Sequence, residues 1–168
     1  MVDVDFRKGR TETDVGNQHE LFMLIYQASH SMIRALSWEM EEKAGLTFTQ
    51  ATVIFAVKLM RETPTPAAIA RWLFRERNSV TRILRQMEEQ GLVSLTRDLE
   101  KKNMIRVSLT EKAESSYRMA SQLREDVIDN VIMASLTPEE YAAMWSGAWK
   151  LRATSAKMLG PRKRFPFP

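Results

Sequence analysis

The stretch that decides the fold runs from Arg77 to Val93 and reads RNSVTRILRQMEEQGLV. Its apolar residues recur every three or four positions, which predicts an amphipathic helix that ends at Gly91. One face of this helix is predicted to turn toward a core. The residues on that face are Val80, Ile83, Leu84 and Met87.

The outer face of this predicted helix carries its charges in an unusual order, with Arg77 and Arg82 early and Glu88 and Glu89 late. Acidic side chains are normally favoured near a helix N-terminus and basic ones near the C-terminus, each by about 0.3–1 kcal/mol. The reversed order favours a polyanion partner over the helix's own stability. The alternative is an ordinary exposed helix with a pair between Arg85 and Glu89, which would contribute about 0.2–0.5 kcal/mol.

A helix placed in the major groove of DNA uses its N-terminal residues to reach base edges and phosphates. Arginine suits guanine, asparagine suits adenine, and serine or threonine suits a phosphate or the thymine methyl group. Interpreted as a recognition helix, the stretch predicts DNA contacts from Arg77, Asn78, Ser79, Thr81, Arg82 and Arg85.

Downstream of this helix the apolar pattern changes to strict alternation, in 93–96 and again in 105–109. Alternation predicts two short strands, here joined by a polar tip at 98–103. A basic hairpin beside a recognition helix would follow the phosphate backbone into the minor groove. A merely solvated turn is the alternative, supported by Asp98 and Glu100. The candidate DNA contacts of the hairpin are Arg97, Lys101, Lys102 and Arg106.

The flanking sequence predicts further helices from their start signals. Thr47 opens a capping box with Gln50, Thr65 precedes a proline, and Thr137 precedes both a proline and a glutamate. Long helices are expected at about 18–43 and 111–134, and a terminal helix reaches about Leu159. The order of four helices, two strands and two helices predicts a mostly α fold, a winged helix-turn-helix with long N- and C-terminal dimerisation helices.

This order also predicts the domain organisation. We expect a flexible N-terminal arm at 1–17, a winged helix-turn-helix DNA-binding domain at 46–110 and a disordered basic tail at 161–168. The segments 18–45 and 111–160 would form a helical dimerisation region. The terminal helix has more apolar bulk than one helix of a small monomer needs, which favours a homodimer. These residues are Tyr141, Met144, Trp145, Trp149 and Leu151.

Composition limits the possible classes of protein. The 168 residues include no cysteine, which excludes disulfides and cysteine-based zinc sites. Residues 61–106 include ten basic and six acidic side chains, so this segment alone accounts for the net charge of +4. This favours a polyanion-facing surface, although chance scatter would also give so modest an excess. No apolar run is long enough for a bilayer and no signal peptide is evident, so we expect a cytoplasmic protein without membrane contact.

No motif predicts catalysis, a metal or a cofactor. The sequence lacks a glycine-rich phosphate loop, a zinc-protease motif and a triad-like grouping. Its two histidines, His19 and His30, would lie about 16 Å apart along one helix and could not share a metal. We therefore predict neither an enzyme nor a metal-binding protein.

From about Gln18 to Leu159 the sequence resembles the MarR family of winged-helix regulators. The resemblance is carried by GLTFTQ at 45–50, TPAAIARWL at 65–73, SVTRILRQMEEQGLV at 79–93, and VSLT at 107–110. The family's wing usually reads Asp-Pro-x-Asp-Arg-Arg. In this register Leu99 replaces the proline, Lys101 the second aspartate, and Lys102 and Asn103 the two arginines, so the depth of minor-groove insertion is left open.

The resemblance implies a homodimeric repressor that binds a near-palindromic operator in double-stranded DNA. It also implies a small phenolic or other aromatic effector bound between the dimer helices and the winged domain. The candidate ligand contacts are His30, Arg34, Trp38, Phe55 and Trp72. Aromatic residues at helical spacing are more often core, and Arg34 could instead pair with an acid such as Glu39. The alternative function is a winged-helix module that binds protein without specific DNA binding.

Overall fold

A computed structural model of the chain describes residues 17–98 and 104–159. Within these ranges the chain forms six α-helices and one two-stranded antiparallel sheet. The predicted tail at 161–168 and all but the last residue of the predicted arm lie outside the described ranges. In chain order the elements are α1 (Gln18–Glu39), α2 (Phe48–Leu59), α3 (Pro66–Trp72), α4 (Arg77–Glu89), β1 (Val93–Asp98), β2 (Met104–Leu109), α5 (Glu111–Arg124) and α6 (Pro138–Met158).

The helices begin where their capping residues place them. Thr47 and Thr137 form the predicted capping boxes of α2 and α6, and the Thr65 hydroxyl accepts the Ala68 amide at 3.1 Å. Each cap satisfies a backbone donor that the first helical turn leaves without a partner. Asn17 forms a further capping box at the start of α1, which the sequence interpretation did not identify.

Two of the long helices change their hydrogen-bonding pattern before they end. After α1 the chain continues as a π-helical segment at Met40–Ala44, and after α5 as a longer one at Glu125–Ile132, followed by a 3₁₀ turn at Met133–Ser135. The prediction of single helices through 43 and through 134 was therefore too simple. Gly45 ends the first segment in the left-handed conformation, at φ 63°, as its position predicted.

The core lies between α2, α3, α4 and the wing, with contributions from the end of α1 and from α5. In the sheet Val93 pairs with Leu109 and Leu95 with Val107, so one face of the hairpin packs inward. The Val107 amide also donates to the Pro64 carbonyl at 2.9 Å, which fixes the wing to the segment before α3. The side chains with at most 1 % exposure include Met40, Leu46, Val53, Ile54, Ile69, Val80, Leu84 and Met87.

The two outer helices contribute little to this core. Only Leu36 of α1 and no residue of α6 is buried. Helix α6 does contact the winged part through Arg152, whose guanidinium lies 5.2 Å from the Phe74 ring and 5.4 Å from the Trp149 ring. Large apolar side chains of the two helices remain exposed. They are Leu21, Phe22, Leu24, Ile25, Tyr26, Tyr141, Met144, Trp145, Trp149 and Leu151.

Candidate nucleic-acid interface

Helix α4 presents a basic outer face because its apolar stripe holds it against the core. Val80, Leu84 and Met87 are fully buried, and Ile83 packs against them half-exposed. This confirms the predicted inward face of the helix. Opposite this stripe Asn78, Arg82 and Arg85 are exposed, and Arg77 is exposed in the first turn of the helix.

The guanidinium groups of α4 have no competing partner in the part of the chain that the structure describes. Within 17–98 and 104–159, no hydrogen bond or ion pair is recorded for the side chains of Arg77, Arg82 and Arg85. The alternative pair between Arg85 and Glu89 is therefore not formed among these residues. The three side chains are available as hydrogen-bond donors to an anion.

The start of α4 also lacks a side-chain cap, since Glu76 makes no capping hydrogen bond there. The amide groups of the first turn, which carry a partial positive charge, are therefore not satisfied by a side-chain cap. Ser79 and Thr81 are half-buried, and the Thr81 hydroxyl donates to the Arg77 carbonyl at 2.9 Å. The Thr81 hydroxyl, one of the two hydroxyls predicted to contact DNA, therefore already donates its hydrogen bond within the helix.

Glu88, near the other end of α4, connects the helix to the wing. Its carboxylate accepts the Leu95 amide of β1 at 3.0 Å. The late acidic position that the sequence left without a structural explanation thus holds the first strand against the recognition helix.

The wing separates the arginines that the sequence grouped together. In the register of the two strands, Arg97 lies opposite Ile105 and Arg106 lies opposite Thr96. Neighbouring residues along a strand point to opposite faces, so the two arginines lie on opposite faces of the hairpin. Arg106 donates to the Asp98 carboxylate from Nε at 2.8 Å and from Nη2 at 2.5 Å. The predicted tip at 98–103 began one residue too early, because Asp98 is the last residue of β1 and its side chain is only 9 % exposed. Lys101 and Lys102 lie outside the described residues.

A polar cleft of about 570 Å³ lies between the start of α2 and the outer face of α4. Arg82 lines it, together with Arg75 and Gln86, which the sequence interpretation did not include. Gln86 flanks the basic face one turn after Arg82, so its helical position could have indicated it. Arg75 lies in the turn before α4, where periodicity gives no signal.

The structure does not bring the five predicted ligand contacts together. A cavity of about 370 Å³ lies between α1, α2 and the π-helical segment that follows α5, and of the five only Phe55 lines it. His30, Arg34 and Trp38 share a different stripe of α1, where Trp38 is 74 % exposed and His30 stacks on Tyr26. Trp72, on α3, is 41 % exposed.

The cavity is lined by residues that the sequence interpretation missed. On α1 they are Ser29, Met32, Ile33 and Leu36, with Met40 just beyond, and they recur at helical spacing on one stripe. The one cation at the cavity, Arg124, donates to both oxygens of Asp129 at 3.0 and 2.7 Å. Apart from this neutralised pair and two hydroxyl side chains the lining is apolar, which suits an uncharged aromatic molecule.

Ion pairing on α1 also differs from the alternative considered for Arg34. Glu39 pairs with Lys43, 2.5 Å from Nζ to Oε2, and this hydrogen bond and charge raise the pKa of Lys43 above its usual value. Within the described chain no pair between Arg34 and Glu39 is recorded.

The described residues contain no group of three or more histidine, cysteine, aspartate or glutamate side chains placed to hold a metal. None of the helices in this part of the chain has the length and apolar character needed to cross a bilayer.

Comparison with known proteins finds a matching family model and a similar regulator. A family model described as "MarR family" matches residues 44–106, which include α2, α3, α4, β1 and the first half of β2. The HTH-type transcriptional regulator SarZ of Staphylococcus saprophyticus is 24% identical over 122 residues, covering 73% of this chain and 82% of the relative.

Solved structures agree with this match. The ligand-free organohalide-sensing regulator RdhR-CbdbA1625 superposes with a TM-score of 0.77 at 29% identity, covering 99% of both chains. Its form bound to 2,4-dichlorophenol gives 0.76 at 28%, covering 95% of this chain and 98% of that one. The MepR–DNA complex of S. aureus shares the fold, with a TM-score of 0.69 at 19% identity over 82% of this chain and 96% of that one.

Proposed function

We propose that this chain is a transcriptional regulator of the MarR family, which acts as a homodimer, binds a near-palindromic operator in double-stranded DNA and represses transcription by occluding a promoter. In this proposal 46–110 is the DNA-binding domain, and 18–45 with 111–160 form the dimerisation region. It is a regulator rather than an enzyme.

The observation that carries the proposal is the outer face of α4. Among the described residues the three arginines of α4 have no ion-pair partner, and they lie on a helix whose start has no side-chain cap and whose apolar stripe is fully buried. Arginine donates two parallel hydrogen bonds to guanine, and amide groups at a helix start bind phosphate. These donors lie on a helix that the core holds in place, which suits binding in the major groove of DNA.

The exposed apolar faces of α1 and α6 support the dimer. Neither helix buries these residues within one chain, and a second copy would cover both. Two recognition helices related by a two-fold axis would reach half-sites roughly 34–36 Å apart, one turn of the duplex.

We expect Arg82→Ala and Arg85→Ala each to weaken binding to an operator selected by the wild-type protein by about 10-fold or more, since a bidentate contact to a base contributes about 1–3 kcal/mol. Gel-shift titration against selected and scrambled duplexes measures this.

Lys101→Ala combined with Lys102→Ala should lower affinity for both duplexes and flatten the salt dependence, because phosphate contacts release counterions.

Lys150→Ala is the matched control, because Lys150 is exposed on α6, away from its apolar side. Wild-type-like affinity in all of the wing and α4 variants, or no salt-dependent binding to any duplex, would contradict the proposal. That second outcome is the one expected of a winged-helix module that binds protein.

We further propose that a small aromatic ligand in the 370 Å³ cavity modulates operator binding. The support is the apolar lining with Phe55 at one wall, together with the neighbour of known structure that is bound to 2,4-dichlorophenol. A ligand that binds a dimer with displaced recognition helices more tightly would lower DNA affinity.

The test uses 2,4-dichlorophenol as the probe. It should raise the melting temperature of the wild-type protein and weaken operator binding in a dose-dependent way. Met32→Trp, which fills the cavity from α1, should abolish both effects and leave DNA binding without the probe unchanged. A probe effect that persists in Met32→Trp would exclude this cavity as the site.

A further inference from the structure

The C-terminal end of α4 needs partners for its last carbonyl groups, as every helix end does. Gly91, at φ 69°, turns the chain, and the Leu92 amide returns to the Met87 carbonyl at 2.8 Å. The next carbonyls along this turn are those of Gln90, Gly91 and Leu92. Their partners come from outside α4.

Those partners lie at the start of α5. Lys112 donates from Nζ to the Gln90 carbonyl at 2.9 Å, although 22 residues separate them. The Thr110 hydroxyl donates to the Gly91 carbonyl at 2.7 Å, and the Thr110 amide donates to the Leu92 carbonyl at 3.1 Å. The same hydroxyl accepts the Ala113 amide at 3.2 Å, so Thr110 both caps α5 and holds the end of α4.

We infer that Lys112 is a positioning residue for DNA recognition, which holds the end of α4 at the angle from which its basic face enters the groove. The inference rests on the proposed DNA binding. Lys112 also complements the partial negative charge at the helix C-terminus. The 13 residues of α4 span about 20 Å, so a tilt of about 5° at the held end moves the other end by roughly 1.7 Å.

A displacement of that size is comparable to the tolerance of a hydrogen bond. Arginines near the start of α4 would then lose their alignment with base edges, whereas contacts with phosphates tolerate it better because they depend less on direction. Loss of the Lys112 bond should accordingly reduce specific binding and leave non-specific binding almost unchanged.

The rival role for Lys112 is a direct phosphate contact, and the salt dependence separates the two. Binding is measured with a duplex selected from random DNA by the wild-type protein and with a scrambled duplex of equal length, at several salt concentrations. The variants are Lys112→Met, which keeps the apolar stem, and Lys112→Arg, which keeps a donor. Lys150→Met, which removes the same charge from α6, is the control.

For Lys112→Met we expect specific affinity about 5–10-fold lower, where tenfold corresponds to about 1.4 kcal/mol. Affinity for the scrambled duplex and the salt slope should match those of Lys150→Met. Lys112→Arg should keep most of the wild-type affinity for the selected duplex. A slope reduced by about one and equal losses on both duplexes would mean a phosphate contact and would overturn the inference.

A second measurement does not depend on DNA. Hydrogen exchange of the amides in 86–95 should be faster in Lys112→Met than in the wild type, and faster again in Thr110→Val, because both substitutions release the end of α4. Unchanged exchange would overturn the positioning role even if DNA binding is found. If the wild-type protein binds no duplex, the proposed function fails and the exchange data alone decide whether Lys112 holds α4.

Discussion

Individual side chains in the wing have roles that their charges alone do not reveal. Arg106 is basic and close to the hairpin tip, but its Nε and Nη2 groups donate to the nearly buried carboxylate of Asp98. Arg97, on the other face, has no recorded partner among the described residues and is exposed. One of these two arginines therefore stabilises the wing, and the other remains available for a phosphate.

We expect Arg106→Gln to lower the free energy of unfolding by roughly 1 kcal/mol, because the bond is charge-assisted but nearly half of the Arg106 side chain is open to solvent. Arg97→Gln is the matched control and should leave stability within about 0.5 kcal/mol of the wild type. Urea denaturation measures both. Equal stability of the two variants would show that the Asp98 pair contributes nothing to the wing.

At the level of helices and turns, most boundaries were predictable and the changes of pitch were not. A threonine cap acts within four residues, so Thr47, Thr65 and Thr137 could be identified from the sequence alone. The π-helical segments have no such local signature, because they arise where a helix adjusts to its neighbours. Contacts between distant residues, such as Lys112 with Gln90, were equally out of reach.

The candidate site likewise has one part that the sequence predicts and one part that it does not. The basic face of α4 follows from helical periodicity, and the structure agrees with it. The cavity depends on which stripe of α1 faces α2, and with aromatic residues on both stripes the sequence favoured His30, Arg34 and Trp38 over the stripe that contains Met32 and Leu36.

Two glycines should respond to alanine in opposite directions. Gly91→Ala should destabilise the protein by about 1–2 kcal/mol, because φ is 69° and a β-carbon is disfavoured there even though it meets nothing within 4 Å. Gly147→Ala should stabilise it by roughly 0.5–1 kcal/mol, because Gly147 lies inside α6 with open space around it and alanine is the better helix former. Thermal denaturation at one protein concentration measures both, and a shift of the same sign in the two variants would refute this account.

Considered as a whole, the molecule has a well-packed winged part and two helices that a single chain leaves largely uncovered. Helix α6 has 21 residues, none of them buried. Its contacts with the rest of the chain include the stack of Arg152 on Phe74, next to the turn that leads into α4. In the proposed dimer the apolar side of α6 would be covered by the second copy.

We expect Trp145→Glu to convert the dimer to a monomer, because Trp145 is 65 % exposed in one chain and a charge at the centre of a covered apolar surface would remain unpaired. Analytical ultracentrifugation measures the association state. Lys150→Glu, on the other side of the same helix, should leave the association unchanged. A Trp145→Glu protein that stays dimeric would place the interface elsewhere.

The bond between Glu88 and the Leu95 amide has one more consequence, for the DNA. It restrains the angle between α4 and the hairpin, so more of the adjustment during docking has to come from the duplex. Flexible pyrimidine–purine steps bend at lower energetic cost than stiff A-tracts. Operators should therefore favour TA or CA steps between the bases that face α4 and those that face the hairpin, at positions that no side chain reaches.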